Sequence, residues 1–313
     1  MEIPQEILEK LRKHDARKVF IQLAEGLKLY IDEIKQQLEK EGFTPVFCME
    51  PTYGACDVRD DEAVRLGCDA ILHIGHADFG VKPKIPVIYW EYFLDVDEKL
   101  LEEIVNKNID KLAEFDTIGL VTSVQYVRSL DKLKKLLEER GKKVLISQTL
   151  NYPGQILGCN VSAAKMIKDK VDCFIVLTAG KFYSVGMLVD IDKPVFALEL
   201  EKKTIESLDE LRMKYLKVIH WNLNKFKEAK GIGLLVTLKK GQRFYDHEKV
   251  KKELEEMGKE VVILAFDEID QGKLEGIDVD FLVNTACPRL FDGYERFRKP
   301  ILNWLHIKTL LNK

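Results

Sequence analysis

The sequence predicts an α/β fold built from three similar doubly wound units, each with a four-stranded parallel sheet. Three observations lead there. Short continuous apolar runs alternate with charged helical stretches, the mark of strands covered on both faces. The helical stretches stop at glycine, where a left-handed residue ends a helix cheaply. The same order of signals recurs three times along the 313 residues.

Each third opens on a strand: Val19–Leu23, Ile118–Thr122 and Ile232–Val236. A helix follows and stops at Glu41-Gly42, Arg140-Gly141 and Met257-Gly258. The second strand comes next, at Pro45–Met49, Lys143–Ser147 and Val261–Ala265. The third begins behind an aspartate, Asp69, Asp172 or Asp280, and the fourth beside a proline, Pro86, Pro194 or Pro300. Parallel neighbours in one sheet require crossover helices, almost always right-handed. The expected units are 1–106, 107–207 and 208–313, with boundaries in the charged helical stretches near Leu101–Glu114 and Glu201–Lys230. No Gly-, Pro- or Ser-rich linker separates them, so a pseudo-threefold arrangement around one centre is expected. Ligands of such sheets bind at the carboxyl ends of the strands.

A formal charge of −3 carries no basic excess for nucleic acid. Lys/Glu runs such as Lys251–Glu256 read as solvated helix faces. No apolar run is long enough for a membrane helix, and Met1–Glu6 does not read as a secretory signal. A cytoplasmic protein is expected, with cysteines reduced, metal-binding or catalytic rather than disulfide-bonded.

The six cysteines sort by their neighbours. Cys48 is placed inside a strand, and Cys68 and Cys173 flank strand-opening aspartates, so these three read as small core hydrophobes. Cys56, Cys159 and Cys287 sit among Gly, Ala, Asn, Asp and Pro, one in each third, behind a second or third strand. Structural zinc prefers closely spaced pairs such as C-x₂-C, and these three lie far apart. A 4Fe–4S cluster held by three distant thiolates, with one iron left open, is the better fit.

Six segments carry a family resemblance: Gln22–Leu27, Tyr53–Asp57, His73–Asp78, Leu157–Asn160, Lys240–Arg243 and Asn284–Arg289. Together they resemble the archaeal diphthamide synthases, which perform the first step of diphthamide formation. The Tyr-Gly-Ala-Cys-Asp and Thr-Ala-Cys-Pro-Arg pieces are the most specific, and Ala24 departs from an expected proline. The resemblance implies a 4Fe–4S cluster on Cys56, Cys159 and Cys287, with S-adenosylmethionine at the unique iron. It further implies reductive cleavage to a 3-amino-3-carboxypropyl radical and methylthioadenosine, and addition of the radical to C2 of a histidine on translation elongation factor 2. A homodimer and an unidentified reductant belong to the same implication. No catalytic side chain beyond the cluster is expected.

The loops after the first strands supply further candidates: Glu25 and Gly26, then Gln125, then Gly241 and Gln242. Glycine admits a close backbone approach, and the two glutamines offer hydrogen bonds to S-adenosylmethionine. Arg289 is a candidate clamp for its methionine carboxylate, against an ion pair with Asp292. His76 reads as a hydrogen-bonded loop histidine, with a substrate contact as the alternative; His14, His220, His247 and His306 receive no role. The competing readings are a quinolinate-synthase-like iron–sulfur dehydratase and a cluster-bearing electron-transfer or scaffold subunit. The Thr-Ala-Cys-Pro-Arg piece opposes the first, and three retained loop cysteines oppose a pure scaffold.

Overall fold

The computed structural model describes residues 1–311. It forms two compact units, one of Met1–Phe93 with Lys239–Gln242, the other of Leu94–Leu238 with the chain from Arg243 onward. The first unit runs α1 (Gln5–Lys13), β1 (Lys18–Leu23), α2 (Ile31–Lys40), β2 (Thr44–Phe47), α3 (Asp60–Arg65), β3 (Ala70–Ile74) and β4 (Val87–Trp90). Its sheet is parallel throughout, in the order β2-β1-β3-β4. One face buries Ile21, Leu23, Ile34, Leu38 and Ile74. The other buries Phe20, Ala63 and Ile71 together with Cys48 and Cys68. Both faces being covered explains why the strands read as unbroken apolar runs.

The second unit begins with α4 (Glu98–Asn108), β5 (Thr117–Thr122), α5 (Leu130–Glu138) and β6 (Lys143–Leu145). Then follow α6 (Ser162–Ile167), β7 (Cys173–Thr178), α7 (Phe182–Val185), β8 (Val195–Glu199) and β9 (Thr204–Ser207). Its last part is α8 (Asp209–Glu228), β10 (Gly231–Thr237), α9 (His247–Glu256), β11 (Glu260–Phe266), β12 (Phe281–Asn284), β13 (Ile301–Asn303) and α10 (Trp304–Leu311). It holds two sheets, ordered β6-β5-β7-β8-β9 and β11-β10-β12-β13. All three sheets thus share one core order, second-first-third-fourth, and the direction of winding reverses between the first and third strands. That switch point opens a crevice at the carboxyl ends. Among the described residues, no helix is long and apolar enough to cross a membrane.

One strand departs from the four-stranded expectation. β9 adds to the edge of the second sheet antiparallel to β8. The expected charged helix over Glu201–Lys230 is divided: Glu201–Lys203 is the loop of a hairpin, Lys203 takes a φ of 53°, and α8 starts only at Asp209. The Lys/Glu composition of the loop mimics a helix face, and only Ile205 is buried in the short strand.

The punctuation of the repeat has physical causes. Gly42, Gly141 and Gly258 have φ of 85°, 79° and 79°, a conformation in which a Cβ is strained. Each strand-opening aspartate accepts two backbone N–H groups from the start of the first strand. Asp69 takes those of Arg17 and Lys18 (2.9 and 2.8 Å), Asp172 those of Asp116 and Thr117 (3.0 and 2.7 Å), and Asp280 those of Lys230 and Gly231 (2.9 and 2.7 Å). These bonds hold the Asp69 and Asp280 carboxyls below their ordinary range. The carbonyls of Pro86, Pro194 and Pro300 accept the N–H of Ile71, Phe174 and Leu282, each at 2.9 Å. A proline fits there because the ladder uses its carbonyl and needs no N–H from it.

Candidate metal centre

Cys56 lies behind β2, Cys159 behind β6 and Cys287 behind β12. All three are partly exposed, whereas Cys48, Cys68 and Cys173 are buried, and all six are free thiols. Burial pushes the pKa of each core thiol up, that of Cys173 to about 12. Cys48 sits one residue beyond β2 rather than inside it, with its N–H still on the Ile21 carbonyl at 2.9 Å.

In the first unit, the Cys56 turn is closed by the Asp57 N–H on the Gly54 carbonyl at 2.9 Å. The buried Gln22, near the end of β1, fixes its exit: its amide donates to the Asp57 carbonyl (2.8 Å) and accepts from the Arg59 N–H (3.0 Å). The segment Lys239–Gln242 closes over the same turn. Lys239 is buried, and its Nζ lies 2.7 Å from Asp57 Oδ2 and 5.0 Å from the centre of the Tyr53 ring. Lys240 bonds both Asp60 oxygens at 2.7 and 2.8 Å. Gly241 donates its N–H to the Cys56 carbonyl at 3.1 Å, and a Cβ on it would stand 2.4 Å from that oxygen and 2.6 Å from the Cys56 Cα. Only glycine fits so close to another backbone. Gln242 is buried with its Nε2 3.5 Å from Cys56 Sγ.

In the second unit, the Cys159 turn is closed by Leu157 N–H on Asn160 O (2.9 Å), and Asn160 Oδ1 then accepts the Ser162 N–H at 3.0 Å where α6 begins. The Cys287 turn hangs on two asparagines that end adjacent strands. Asn284 Nδ2 donates to the Cys287 carbonyl (2.9 Å) and to Asn303 Oδ1 (2.7 Å), and Asn303 Nδ2 donates to the Pro288 carbonyl (2.9 Å). Burial raises the Cys287 thiol pKa, offset in part by the N–H and charge of Arg289.

A cavity of about 260 Å³ in this unit is lined by Cys159, Asn284, Arg289, Asp292, Tyr215 and His306, among others. Arg289 pins its walls together. Its Nη2 donates to the Phe182 carbonyl at 2.7 Å, the guanidinium lies 4.6 Å from the Phe182 ring centre, and it is ion-paired with Asp292. The Asp292 pair weighed from sequence is therefore present. Burial raises the Asp292 carboxyl pKa, and Arg289 opposes that rise. Arg289 Nε is buried without a hydrogen-bond partner. His306, given no role from sequence, is a wall residue whose Nδ1 is also buried without a partner; burial pushes its pKa down to about 4. The only signal for it in the sequence was its place just past a fourth strand.

The remaining candidates are placed as follows. Glu25 is exposed and paired with Lys28 at 2.8 Å, next to Gly26 in the turn after β1. Gln125, half-buried in the turn after β5, accepts the Leu94 N–H on its carbonyl at 2.7 Å. His76 shares a 3.1 Å hydrogen bond with the buried His73, as a loop histidine was expected to find a partner. Burial keeps both imidazoles neutral, His76 with a pKa of about 4.

The donor chemistry fits an iron–sulfur group. The three loop cysteines are soft ligands on polar, hydrogen-bonded turns, and Cys56 Sγ already accepts an amide N–H, as a cluster thiolate does. Among the described residues, no three His, Cys, Asp or Glu side chains are grouped as the ligands of one metal ion.

Residues 23–313 match the family described as "Putative diphthamide synthesis protein". The chain is 32% identical to the 2-(3-amino-3-carboxypropyl)histidine synthase of Pyrococcus horikoshii, over 99% of its own length and 90% of the relative's. It is 30% identical to subunit 1 of the enzyme so named in Yarrowia lipolytica, over 93% of this chain and 68% of that one. The crystal structure of Dph2 from P. horikoshii with a 4Fe–4S cluster superposes with a TM-score of 0.88 at 31% identity, covering 100% of this chain and 91% of that one. The α/β fold is shared with the P. horikoshii protein that was crystallised with a 4Fe–4S cluster. The chain belongs to the diphthamide synthesis family.

Proposed function

We propose that the protein is a 2-(3-amino-3-carboxypropyl)histidine synthase that performs the first step of diphthamide formation on translation elongation factor 2. One observation carries this most: three partly exposed loop cysteines, each on its own hydrogen-bonded turn, in a chain that matches the family over residues 23–313. In this reading the repeats 1–106, 107–207 and 208–313 contribute one thiolate each, from Cys56, Cys159 and Cys287. A bound 4Fe–4S cluster supplies the single electron that splits S-adenosylmethionine into methylthioadenosine and a 3-amino-3-carboxypropyl radical.

The side chains of this protein position and shield. Arg289 faces the cavity beside Cys159, and its buried, unpartnered Nε supports a contact with the methionine carboxylate. Glu25, Gly26, His76, Gln125 and Gly241 are proposed to line the same substrate. A homodimer, as the family resemblance implies, belongs to the same reading. The reductant and a cytoplasmic setting complete the reading.

The test is anaerobic incubation of reconstituted protein with dithionite, S-adenosylmethionine and archaeal elongation factor 2. Methylthioadenosine should form, and the factor should gain one 3-amino-3-carboxypropyl group on a single histidine by mass spectrometry. 5′-Deoxyadenosine as the product, or an unmodified factor, would overturn the reading. Arg289→Ala should weaken S-adenosylmethionine binding by roughly 1.5–3 kcal/mol, the usual loss of a charge-assisted hydrogen bond. Unchanged affinity by calorimetry would make Arg289 only the pin between Phe182 and Asp292.

A further inference from the structure

We infer that Gln242 is a positioning residue for Cys56, whose amide N–H raises the reduction potential of the cluster that Cys56 holds, rather than a ligand for S-adenosylmethionine. The inference rests on the reading of Cys56 as a cluster ligand. Gln242 is only 7% exposed, and its Nε2 points at Cys56 Sγ from 3.5 Å, a normal reach for a large sulfur acceptor. The side chain is aimed by its backbone. Lys239 and Lys240 are tied to Asp57 and Asp60, just beyond Cys56, at 2.7 Å each. Gly241 lies against the Cys56 backbone, and the Gln242 N–H closes the turn on the Lys239 carbonyl at 3.1 Å. Residue 242 therefore has little freedom to swing its amide away from the sulfur.

An N–H dipole directed at a thiolate stabilises negative charge on it. Adding one electron to a cluster increases the charge shared by its sulfurs, so the donor stabilises the reduced form more than the oxidised one. Low dielectric around a buried amide strengthens the effect. No bond is made or broken; the electron comes from an external low-potential reductant, here dithionite.

The experiment is an EPR-monitored redox titration of the reconstituted holoprotein, with iron content and S-adenosylmethionine affinity measured alongside. Gln242→Leu removes the donor, and Gln242→Glu keeps the shape while turning a carboxylate toward the sulfur. Both should move the midpoint negative, with iron content and S-adenosylmethionine affinity as in the wild type. A tenfold fall in the reduced-to-oxidised ratio at the wild-type midpoint corresponds to a shift of about 59 mV for one electron. An unmoved midpoint in the Glu variant overturns the inference, whatever the Leu variant does. A fall in S-adenosylmethionine affinity without a shift assigns Gln242 to the substrate instead. Loss of the cluster from both variants makes the residue a structural requirement and also overturns it. Wild-type protein that takes up no iron sinks the cluster reading itself, whereas a wild-type cluster indifferent to residue 242 sinks this inference alone.

Discussion

Replacing Cys56, Cys159 or Cys287 with alanine should abolish the cluster and the activity while leaving a folded protein; replacing Cys48, Cys68 or Cys173 should keep the cluster and the activity and lower the stability. The first three thiols stand on turns whose shape is set by other groups: Gln22 and Gly241 at Cys56, Asn160 at Cys159, Asn284 and Asn303 at Cys287. The residues are partly exposed, so truncation forfeits little packing at Cys56 and Cys159 and somewhat more at the Cys287 thiol, whose pKa burial raises. Cys173 is fully buried among apolar neighbours. Cutting it to alanine should cost roughly 1 kcal/mol of lost burial. Serine there should cost more, roughly 1–3 kcal/mol, because its hydroxyl finds no partner in that core. Iron content and thermal unfolding should therefore cross: loop variants lose iron at near wild-type stability, and core variants keep about four irons with a lowered midpoint. Stoichiometric iron in Cys287→Ala would remove Cys287 from the ligand set.

What the sequence revealed and what it hid follow from how far each interaction reaches. Gly42, Gly141 and Gly258 announce helix ends because left-handed backbone is a local property of one residue. Asp69, Asp172 and Asp280 were visible as markers of a strand, but their partners lie some fifty residues earlier in the chain, so their reason was not. The hairpin leading to β9 hid behind charged residues that suit a helix face equally well. The cysteine turns were legible through their glycines and prolines. Their supports were not, since Lys239, Gly241 and Gln242 reach Cys56 and Asp57 across more than 180 positions. Asn284 and Asn303 meet only because β12 and β13 pair in register.

Asp57→Ala should be among the most destabilising single substitutions in the first unit, and clearly worse than Lys239→Met. Asp57 and Lys239 are almost fully buried, with side-chain exposures of 2% and 4%, and Arg59 Nε stands 3.8 Å from the other Asp57 oxygen. One carboxylate therefore faces two buried cations. Removing it takes a carboxylate from both, although Arg59 keeps its pair with Glu62 at 3.7 Å, and breaking a buried ion pair from one side typically costs roughly 3–5 kcal/mol. Lys239→Met leaves Asp57 with Arg59 and replaces an ammonium by an apolar chain of similar length against Tyr53, so its cost should be smaller. Asp57→Asn should fall between, keeping the shape and an acceptor while losing the charge. Protection of the Tyr53–Arg59 amides from hydrogen exchange is the appropriate measure, because it reports this turn without assuming that the whole chain unfolds in one step. The order Asp57→Ala, Asp57→Asn, Lys239→Met, from least to most protected, is the expected result; Lys239→Met as the most damaging would place the stabilisation in the ammonium rather than in the shared carboxylate. The consequence reaches the metal centre, since the same ion pair holds the segment that sets Gly241 and Gln242 against Cys56. Iron should accordingly be lost from Asp57→Ala at a temperature where Lys239→Met still retains it.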